Sequence, residues 1–271
     1  MDIINPANEV VIASLKEHGN EFITIKHRQL LQGQKEWSSL DINKRIQPIS
    51  NFSELLSKEM NNLAEVLTSE TGKPLAQSVN EIKGARSRVQ FFIDHSEKWL
   101  QDETVYSDDQ VKECIAYEPL GVIANISAWN YPYLIGVNVF VPALIGGNAV
   151  LYKPSEYATL TGLAIQELLH KAGIPNDVFA AVIGGVNTGQ ALLDLPLDGY
   201  FFTGSNKTGA YICQKVAKKM VPCQLELGGK DPLYVTDDNK DLNAIAKVVA
   251  EGAFYNNGQS CCSVERIYVH R

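Results

Sequence analysis

Short apolar runs alternate with longer segments of helical spacing from about residue 120 onward, and this alternation most constrains the fold. The runs fall at 122–126, 149–152, 178–183, 200–202 and 223–227. Short runs rich in Val, Ile, Phe and Tyr, separated by helix-length segments, are typical of parallel strands joined by crossover helices. The sequence therefore predicts an α/β fold built on a parallel sheet.

Helices are predicted on both sides of this region. Segment 53–70 has apolar residues at helical spacing and stops before Gly72 and Pro74, and 75–100 has the same pattern. We expect the following residues to form the inner side of the second helix: Val79, Ile82, Val89, Phe92 and Trp99. The polar segment 102–118 is interpreted as a hairpin. A last helix starts near Asp241, with these residues on one face: Leu242, Ile245, Ala246, Val249 and Ala253.

Composition narrows the functional classes. The chain has 271 residues, 45% of them hydrophobic and 20% charged, which is enough for a large core and two domains. A net charge of −7 without a basic cluster favours a small-molecule substrate over nucleic acid or an anionic membrane. Prolines, glycines and asparagines interrupt the apolar stretch 120–152, which argues against a membrane span.

The cysteines and the N-terminus indicate a reducing compartment. Five cysteines are present, an odd number without CxxC spacing, so neither a disulfide framework nor a zinc or other metal site is predicted. Residues 1–6 have no basic segment followed by a long apolar one, so no secretion signal is recognised. We therefore expect a cytoplasmic protein.

A carboxylate and a thiol stand in two glycine-containing motifs. Glu226 lies in Leu-Glu-Leu-Gly-Gly at the end of an apolar run, and Cys261 follows Gly258-Gln-Ser on a predicted loop. The chain between them is long enough to leave the first element and return, so both side chains could meet in one cleft. Since Leu225 and Leu227 flank Glu226, we expect an apolar environment for its carboxylate.

Together with four other stretches, these motifs resemble the NAD(P)-dependent aldehyde dehydrogenase superfamily. The stretches are Glu-Thr-Gly-Lys-Pro at 70–74, Ala-Trp-Asn-Tyr-Pro at 128–132, Lys-Pro-Ser-Glu at 153–156 and Phe-Thr-Gly-Ser at 202–205. The resemblance implies a Rossmann-like NAD(P)-binding domain (1–101 and 118–227), an oligomerisation hairpin (102–117) and the beginning of an α/β catalytic domain (228–271). Family members continue past the position of Arg271, so the chain is expected to match the first half or more of such an enzyme.

Three catalytic residues follow from the resemblance. Cys261 would attack the aldehyde carbonyl, while Cys262 is outside the motif position. The side-chain amide of Asn130 and the backbone N–H of Cys261 would form the oxyanion hole. Glu226 would then act as general base for hydrolysis of the thioester. Without the resemblance, a buried structural cysteine and a turn asparagine would explain two of these residues.

The resemblance also implies a cofactor site. Its predicted residues are Trp129, Lys153, Ser155, Glu156, Gly204, Ser205, Gly209 and Leu227. The glycine turn at 203–209 lacks the Lys-Ser/Thr of a P-loop, so it favours a dinucleotide pyrophosphate over ATP or GTP. Glu156 would accept hydrogen bonds from the ribose and repel a 2′-phosphate, which favours NAD; because Lys153 could offset that repulsion, NADP stays open.

The substrate is predicted only as a small-molecule aldehyde. Tyr131, Ile135 and Asn138 have helical spacing and could line its tunnel, with Phe91 or Phe92 opposite, although core packing explains each equally well. The full-length protein is expected to form a homo-oligomer.

Other functional classes compete with this interpretation. A thiol hydrolase could pair Cys261 with His270, but it would need neither Glu226 nor the glycine turn. Glu226 also disfavours the coenzyme A-acylating branch of the family. A catalytically inactive, truncated NAD-binding or assembly fragment is the remaining alternative, and the 271 residues alone are expected to bind NAD weakly with negligible turnover.

Overall fold

The computed structural model describes residues 1–238 and 240–271. Two hairpins enclose four helices: β1 (Asp2–Ile4), β2 (Val11–Ser14), α1 (Asn20–Ser38), α2 (Ile42–Lys58), α3 (Met60–Thr71), α4 (Leu75–Trp99), β3 (Glu103–Ser107) and β4 (Lys112–Ile115). Strands then alternate with helices: β5 (Val122–Ile126), α5 (Pro132–Ile145), β6 (Ala149–Lys153), α6 (Thr159–Ala172), β7 (Phe179–Ala181), α7 (Val186–Asp194), β8 (Gly199–Thr203), α8 (Asn206–Val216) and β9 (Cys223–Glu226). The last elements are β10 (Asp231–Val235), α9 (Leu242–Phe254) and β11 (Val264–Val269).

Five strands form a parallel sheet in the order β7-β6-β5-β8-β9. Strand β5 pairs with β6 through Val122 and Ala149, and with β8 through Ile123 and Gly199. The chain thus runs outward from β5 to β7, returns across the sheet, and continues outward from β8 to β9. This reversal between β5 and β8 is the topological switch point of a Rossmann-like sheet, so the predicted α/β fold with a Rossmann-like parallel sheet is confirmed.

Helices cover both faces of the sheet. In β5, Ile123 joins the core under α2, α4, α5 and α6, whereas Val122 and Ala124 join the core under α1, α7 and α8. This alternation follows from the two-residue repeat of a strand and explains why the central strands are mostly apolar on both faces. Phe52 and Phe140, both fully buried, pack edge to face in the first core. Burial of each such side chain contributes about 1.5–3 kcal/mol.

The predicted helix 53–70 is wrong in its limits, because α2 and α3 share this region. Glu59 separates them with non-helical angles (φ −95°, ψ 8°), yet its N–H still bonds to the Leu55 carbonyl. Leu56 and Leu63 are both buried on either side of the break, so the apolar spacing hides it. Helix α2 begins at Ile42, where the Asp41 side chain caps the Asn43 N–H.

Helix α4 and the following hairpin have the predicted positions, with one correction. Trp99 is 46% exposed and is not on the inner side, because it ends the helix and stacks on His95 instead. Strands β3 and β4 pair antiparallel and are exposed along both faces. Oligomerisation through this hairpin stays a prediction.

The elements after the five-stranded sheet, β10, α9 and β11, are less buried than its central strands. Strands β10 and β11 pair in parallel, and α9 is capped by Asp241, whose carboxylate accepts from the Ala244 N–H at 2.9 Å. The predicted apolar face of α9 is not enclosed: Ile245 and Val249 are half-buried and Leu242 is 71% exposed. Among the residues that the structure describes, no helix combines the length and hydropathy of a membrane span.

Candidate active site

The predicted site residues come from the carboxyl ends of neighbouring strands. Lys153 ends β6, Asn130 lies in the loop after β5, Gly204 follows β8 and Glu226 ends β9. Because these strands are parallel and adjacent, their following loops meet at one edge of the sheet. This edge includes the switch point between β5 and β8, the usual ligand position in open α/β sheets.

Glu226 is held beside the glycine turn by the sheet itself. Thr203 is its partner in the β8–β9 register, and the Gly204 N–H donates to the Glu226 carbonyl at 3.0 Å. The side chain of Glu226 is exposed, so the predicted apolar environment is wrong: residues of a strand alternate, and half-buried Leu225 and Leu227 point away from it.

Gly229 joins this motif to the predicted nucleophile. A Cβ at Gly229 would lie 2.3 Å from the carbonyl oxygen of Cys261, so any side chain would displace the loop. Glycine is therefore required by close backbone approach. Glu226 and Cys261 are 35 residues apart in the sequence, but Gly229 of the Glu226 motif packs directly on the backbone of Cys261.

A turn of unusual conformation delivers Cys261. Asn256, Asn257 and Gly258 all have left-handed φ values, between 56° and 71°. Asparagine and glycine tolerate this region, in which other residues are strained. The Asn257 amide donates to the Gly72 carbonyl at 2.9 Å, which attaches the turn to the end of α3. Only Gly258 of this turn belonged to the predicted motif.

Asn130 touches the same loop through its side chain. Its Nδ2 donates to the carbonyl of Gln259 at 2.9 Å, two residues before Cys261. Asn256 Nδ2 donates to the carbonyls of both Asn130 (3.0 Å) and Gln259 (3.1 Å). Since an amide group carries two hydrogens, Asn130 keeps a second donor next to the thiol-bearing loop.

The Cys261 thiol is exposed and beside a second thiol. Burial of part of the group raises the pKa of Cys261, and Cys262 and, more weakly, the Glu226 carboxylate raise it further, against a backbone hydrogen bond that lowers it. Each neighbour disfavours the thiolate, the form that acts as a nucleophile. Cys262 Sγ also lies 3.2 Å from Ser260 Oγ. The thiol is therefore not activated by its surroundings alone.

Replacing Cys262 with serine is expected to lower the pKa of Cys261, because it removes the thiol that raises it. Alkylation of Cys261 by iodoacetamide, followed against pH by mass spectrometry, should reach half its maximal rate at lower pH in C262S. Cys114→Ser, in the exposed hairpin, is the control. An unchanged or raised midpoint in C262S would contradict this expectation.

The glycine turn after β8 has the geometry of an anion site. The Ser205 side chain caps α8 by accepting from the Thr208 N–H at 3.3 Å. A Cβ at Gly209 would lie 2.6 Å from Leu227 Cδ2, so glycine lets α8 pack tightly against the end of β9. The first turn of α8 thereby lies beside the switch point, and the N-terminus of a helix favours an anion there.

Lys153 and Glu156 lie together after β6. Their charged groups are 3.8 Å apart; Lys153 is buried and Glu156 is half-buried. Burial lowers the pKa of Lys153, and Glu156 and Glu17 oppose that decrease. Ser155 is buried and accepts from the Tyr157 N–H at 3.3 Å. The carboxyl end of β6 is therefore followed by an ammonium and a carboxylate that lie side by side.

Trp129, the predicted tunnel residues and His270 each have different neighbours. Trp129 packs edge to face on Tyr157, with ring centroids 6.3 Å apart. Of the predicted tunnel residues, Tyr131 and Ile135 are half-buried and Asn138 is exposed. His270 lies 4.0 Å from Asp237 and bonds to the Arg271 carbonyl, so it is not paired with Cys261.

Two further buried residues of the site were not predicted. Lys73 and Glu81 form an ion pair below Asn130, and Lys73 Nζ donates to the Asn130 carbonyl at 2.7 Å. Lys73 stands in the motif at 70–74, so that stretch was recognised without a role for its charge. Glu81 has no local sequence signal, because its partners are distant in the chain.

Comparison with known proteins identifies the family of this chain. The profile of the Aldehyde dehydrogenase family matches residues 1–271. A 3,6-anhydro-alpha-L-galactose dehydrogenase of Streptomyces coelicolor is 33% identical over 273 residues, which cover 100% of this chain and 55% of the relative. The chain therefore spans about half the length of this relative.

Solved structures agree in fold. A 3,6-anhydro-L-galactose dehydrogenase in complex with NAP has a TM-score of 0.93 at 31% identity, over 100% of this chain and 57% of that one. A betaine aldehyde dehydrogenase from Staphylococcus aureus in complex with NAD+ has a TM-score of 0.94 at 28% identity, over 100% and 56%. With a family match along all 271 residues, the chain belongs to the aldehyde dehydrogenase family.

Proposed function

We propose that the protein containing this chain oxidises an aldehyde to a carboxylic acid with NAD(P), using Cys261 as nucleophile, Asn130 as oxyanion donor and Glu226 as hydrolytic base. The observation that carries this proposal is the contact of the Asn130 amide with the loop of Cys261, at 2.9 Å from the Gln259 carbonyl. It brings a fixed hydrogen-bond donor to the loop that bears the thiol, across more than a hundred residues of sequence.

The first stage uses the thiol and the amide. Once deprotonated, Cys261 Sγ adds to the aldehyde carbon, and the carbonyl oxygen becomes an oxyanion. The second N–H of Asn130 and the backbone N–H of Cys261 stabilise that charge, because they are held in place before the reaction. A nicotinamide held at this edge would accept the hydride that leaves the former aldehyde carbon as the carbonyl forms again. The acyl group then remains on Cys261 as a thioester.

The second stage uses Glu226. Its carboxylate is exposed at the end of β9, and Gly229, three residues further on, packs against the Cys261 carbonyl, so we assign Glu226 to a water molecule at the thioester. By accepting a proton from that water, Glu226 would permit hydrolysis to the carboxylic acid. Exposure suits this role because the base must reach solvent.

The residues present fit a dinucleotide. The N-terminus of α8 favours the negative charge of a pyrophosphate, and the tight contact of Gly209 with Leu227 fixes this helix against the end of β9. Lys153 can donate hydrogen bonds to ribose hydroxyls, and Glu156 can accept hydrogen bonds from them. Trp129, Ser155, Gly204 and Ser205 line the same edge. The two relatives in complex with NAP and NAD+ support either form of the cofactor.

Replacing Glu156 with serine is expected to raise the affinity for NADP relative to NAD by about tenfold, because it removes a charge that repels the 2′-phosphate by roughly 1–2 kcal/mol. Titration of the complete protein with each cofactor measures the ratio. Glu167→Ser, which removes an exposed α6 carboxylate paired with Lys171, is the control. An unchanged ratio in E156S would refute the role of Glu156.

The function itself is tested by reduction of NAD or NADP in the presence of aliphatic, aromatic and ω-carboxy aldehydes. The complete protein should show absorbance of reduced nicotinamide with at least one aldehyde class and release the matching acid. Cofactor binding without oxidation of any class would instead indicate a binding or assembly module.

A further inference from the structure

The buried ion pair of Lys73 and Glu81 lies where three parts of the chain converge. Lys73 stands between α3 and α4, and Glu81 is in the second turn of α4. They are 2% and 4% exposed, respectively. Removing two opposite charges from water is costly, and an ion pair of this kind is weak evidence for stability. Its contacts indicate what it does instead.

Lys73 binds the main chain of the loop that contains Asn130. Its ammonium donates to the main-chain carbonyl of Asn130 at 2.7 Å and lies 4.3 Å from the ring centroid of Tyr131. Asn256 donates to the same carbonyl at 3.0 Å. One oxygen of Asn130 therefore joins the α3–α4 junction to the turn that delivers Cys261.

Glu81 binds the backbone N–H groups of residues that follow in the same segment. Its Oε1 accepts from the N–H groups of Tyr133 (2.9 Å) and Leu134 (3.4 Å), in the first turn of α5. A carboxylate at a helix N-terminus also interacts favourably with the helix dipole. Lys73 and Glu81 together restrain the backbone on both sides of Tyr131.

The hydrogen bonds of both residues match an ammonium and a carboxylate. Burial lowers the pKa of Lys73 and raises the pKa of Glu81, while their mutual attraction and hydrogen bonding oppose both shifts. Glu81 accepts three hydrogen bonds, and Lys73 donates to two oxygens, which are the roles of a carboxylate and an ammonium. The pair therefore holds the backbone of this loop by hydrogen bonds from both of its members.

We propose that Lys73 and Glu81 are positioning residues for oxyanion stabilisation. By fixing the main chain of Asn130, they aim its side-chain amide at the carbonyl oxygen of an aldehyde on Cys261. A displacement of about 1 Å in such a donor is enough to weaken transition-state stabilisation strongly. This inference rests on the proposed aldehyde oxidation.

A double-mutant cycle tests the inference in the complete protein. The variants are K73M/E81Q, which removes both charges and keeps similar volume, N130A, and their combination. We expect K73M/E81Q to lower kcat by about 30-fold or more with NAD affinity within about twofold, and to lower it by less than about threefold in the N130A background. Lys171→Met, which breaks an exposed pair on α6, is the control and should keep full kcat.

Each result decides a different claim. Equal losses of kcat with and without N130A would show that the pair serves stability alone, and the inference would be overturned. Full activity of N130A would refute the oxyanion role of Asn130 and the inference with it. Absence of aldehyde oxidation in the wild-type protein would refute the proposed function on which the inference depends.

Arginine at position 73 provides a second measurement if K73M/E81Q does not fold. K73R keeps the charge and changes the position of the donor to the Asn130 carbonyl. We expect kcat to fall while KM and the melting temperature stay near their wild-type values, which a purely structural role would not produce. Full kcat in folded K73R would overturn the inference.

Discussion

Serine in place of Cys261 is expected to abolish aldehyde oxidation, with a loss of about 10³-fold or more in kcat/KM. A serine hydroxyl is a far weaker nucleophile than a thiolate at neutral pH, so it would add to the aldehyde carbon much more slowly. The structure makes the comparison sharp because two adjacent thiols are present and only one follows the Gly-Gln-Ser motif. Steady-state formation of reduced cofactor measures the effect.

Cys262→Ser is the matched control for this result. The Cys262 thiol contacts Ser260 Oγ, whereas the backbone of Cys261 packs on Gly229 of the glutamate motif. C262S should therefore retain most of the activity. Equal losses in C261S and C262S would show that the motif spacing does not identify the nucleophile.

The central strands of the sheet could be predicted because they are buried on both faces. Val122 and Ile123 point to opposite cores, so the local sequence is mostly apolar, and each of the five predicted runs overlaps a strand. The break at Glu59 could not be predicted, since Leu56 and Leu63 face the same core on both sides of it. An apolar pattern reports which face is buried and is insensitive to one non-helical residue.

The sequence motifs pointed to the candidate site but not to the residues that support it. Recognition of Cys261, Glu226 and Asn130 relied on residue types at fixed spacing. Lys73 and Glu81 act through contacts that join segments about 50 residues apart, and Asn256 through a contact of 126 residues. Such polar contacts have no periodic signal. For Glu226, the sequence predicted a contact that the structure lacks. An apolar environment was expected from its flanking leucines, but neighbours in a strand point away from the residue between them, and Glu226 is exposed.

Glutamine in place of Glu226 is expected to separate the two stages of the reaction. Acylation of Cys261 does not need the hydrolytic base, so each active site should form one equivalent of reduced cofactor. The negative charge of Glu226 raises the pKa of Cys261, so its removal should also favour the thiolate. The first turnover should therefore proceed, and steady-state turnover should fall by about 10²–10⁴-fold.

A stalled thioester is the specific outcome expected of E226Q. After rapid quenching, intact-protein mass spectrometry should show the acyl group of the aldehyde, and peptide mapping should locate it on Cys261. Glu251→Gln, an exposed carboxylate on α9, should give neither a stall nor an adduct. If E226Q shows no burst and no adduct, Glu226 acts before acylation. Because its charge disfavours the Cys261 thiolate, that earlier role would be proton removal from the thiol rather than electrostatic activation.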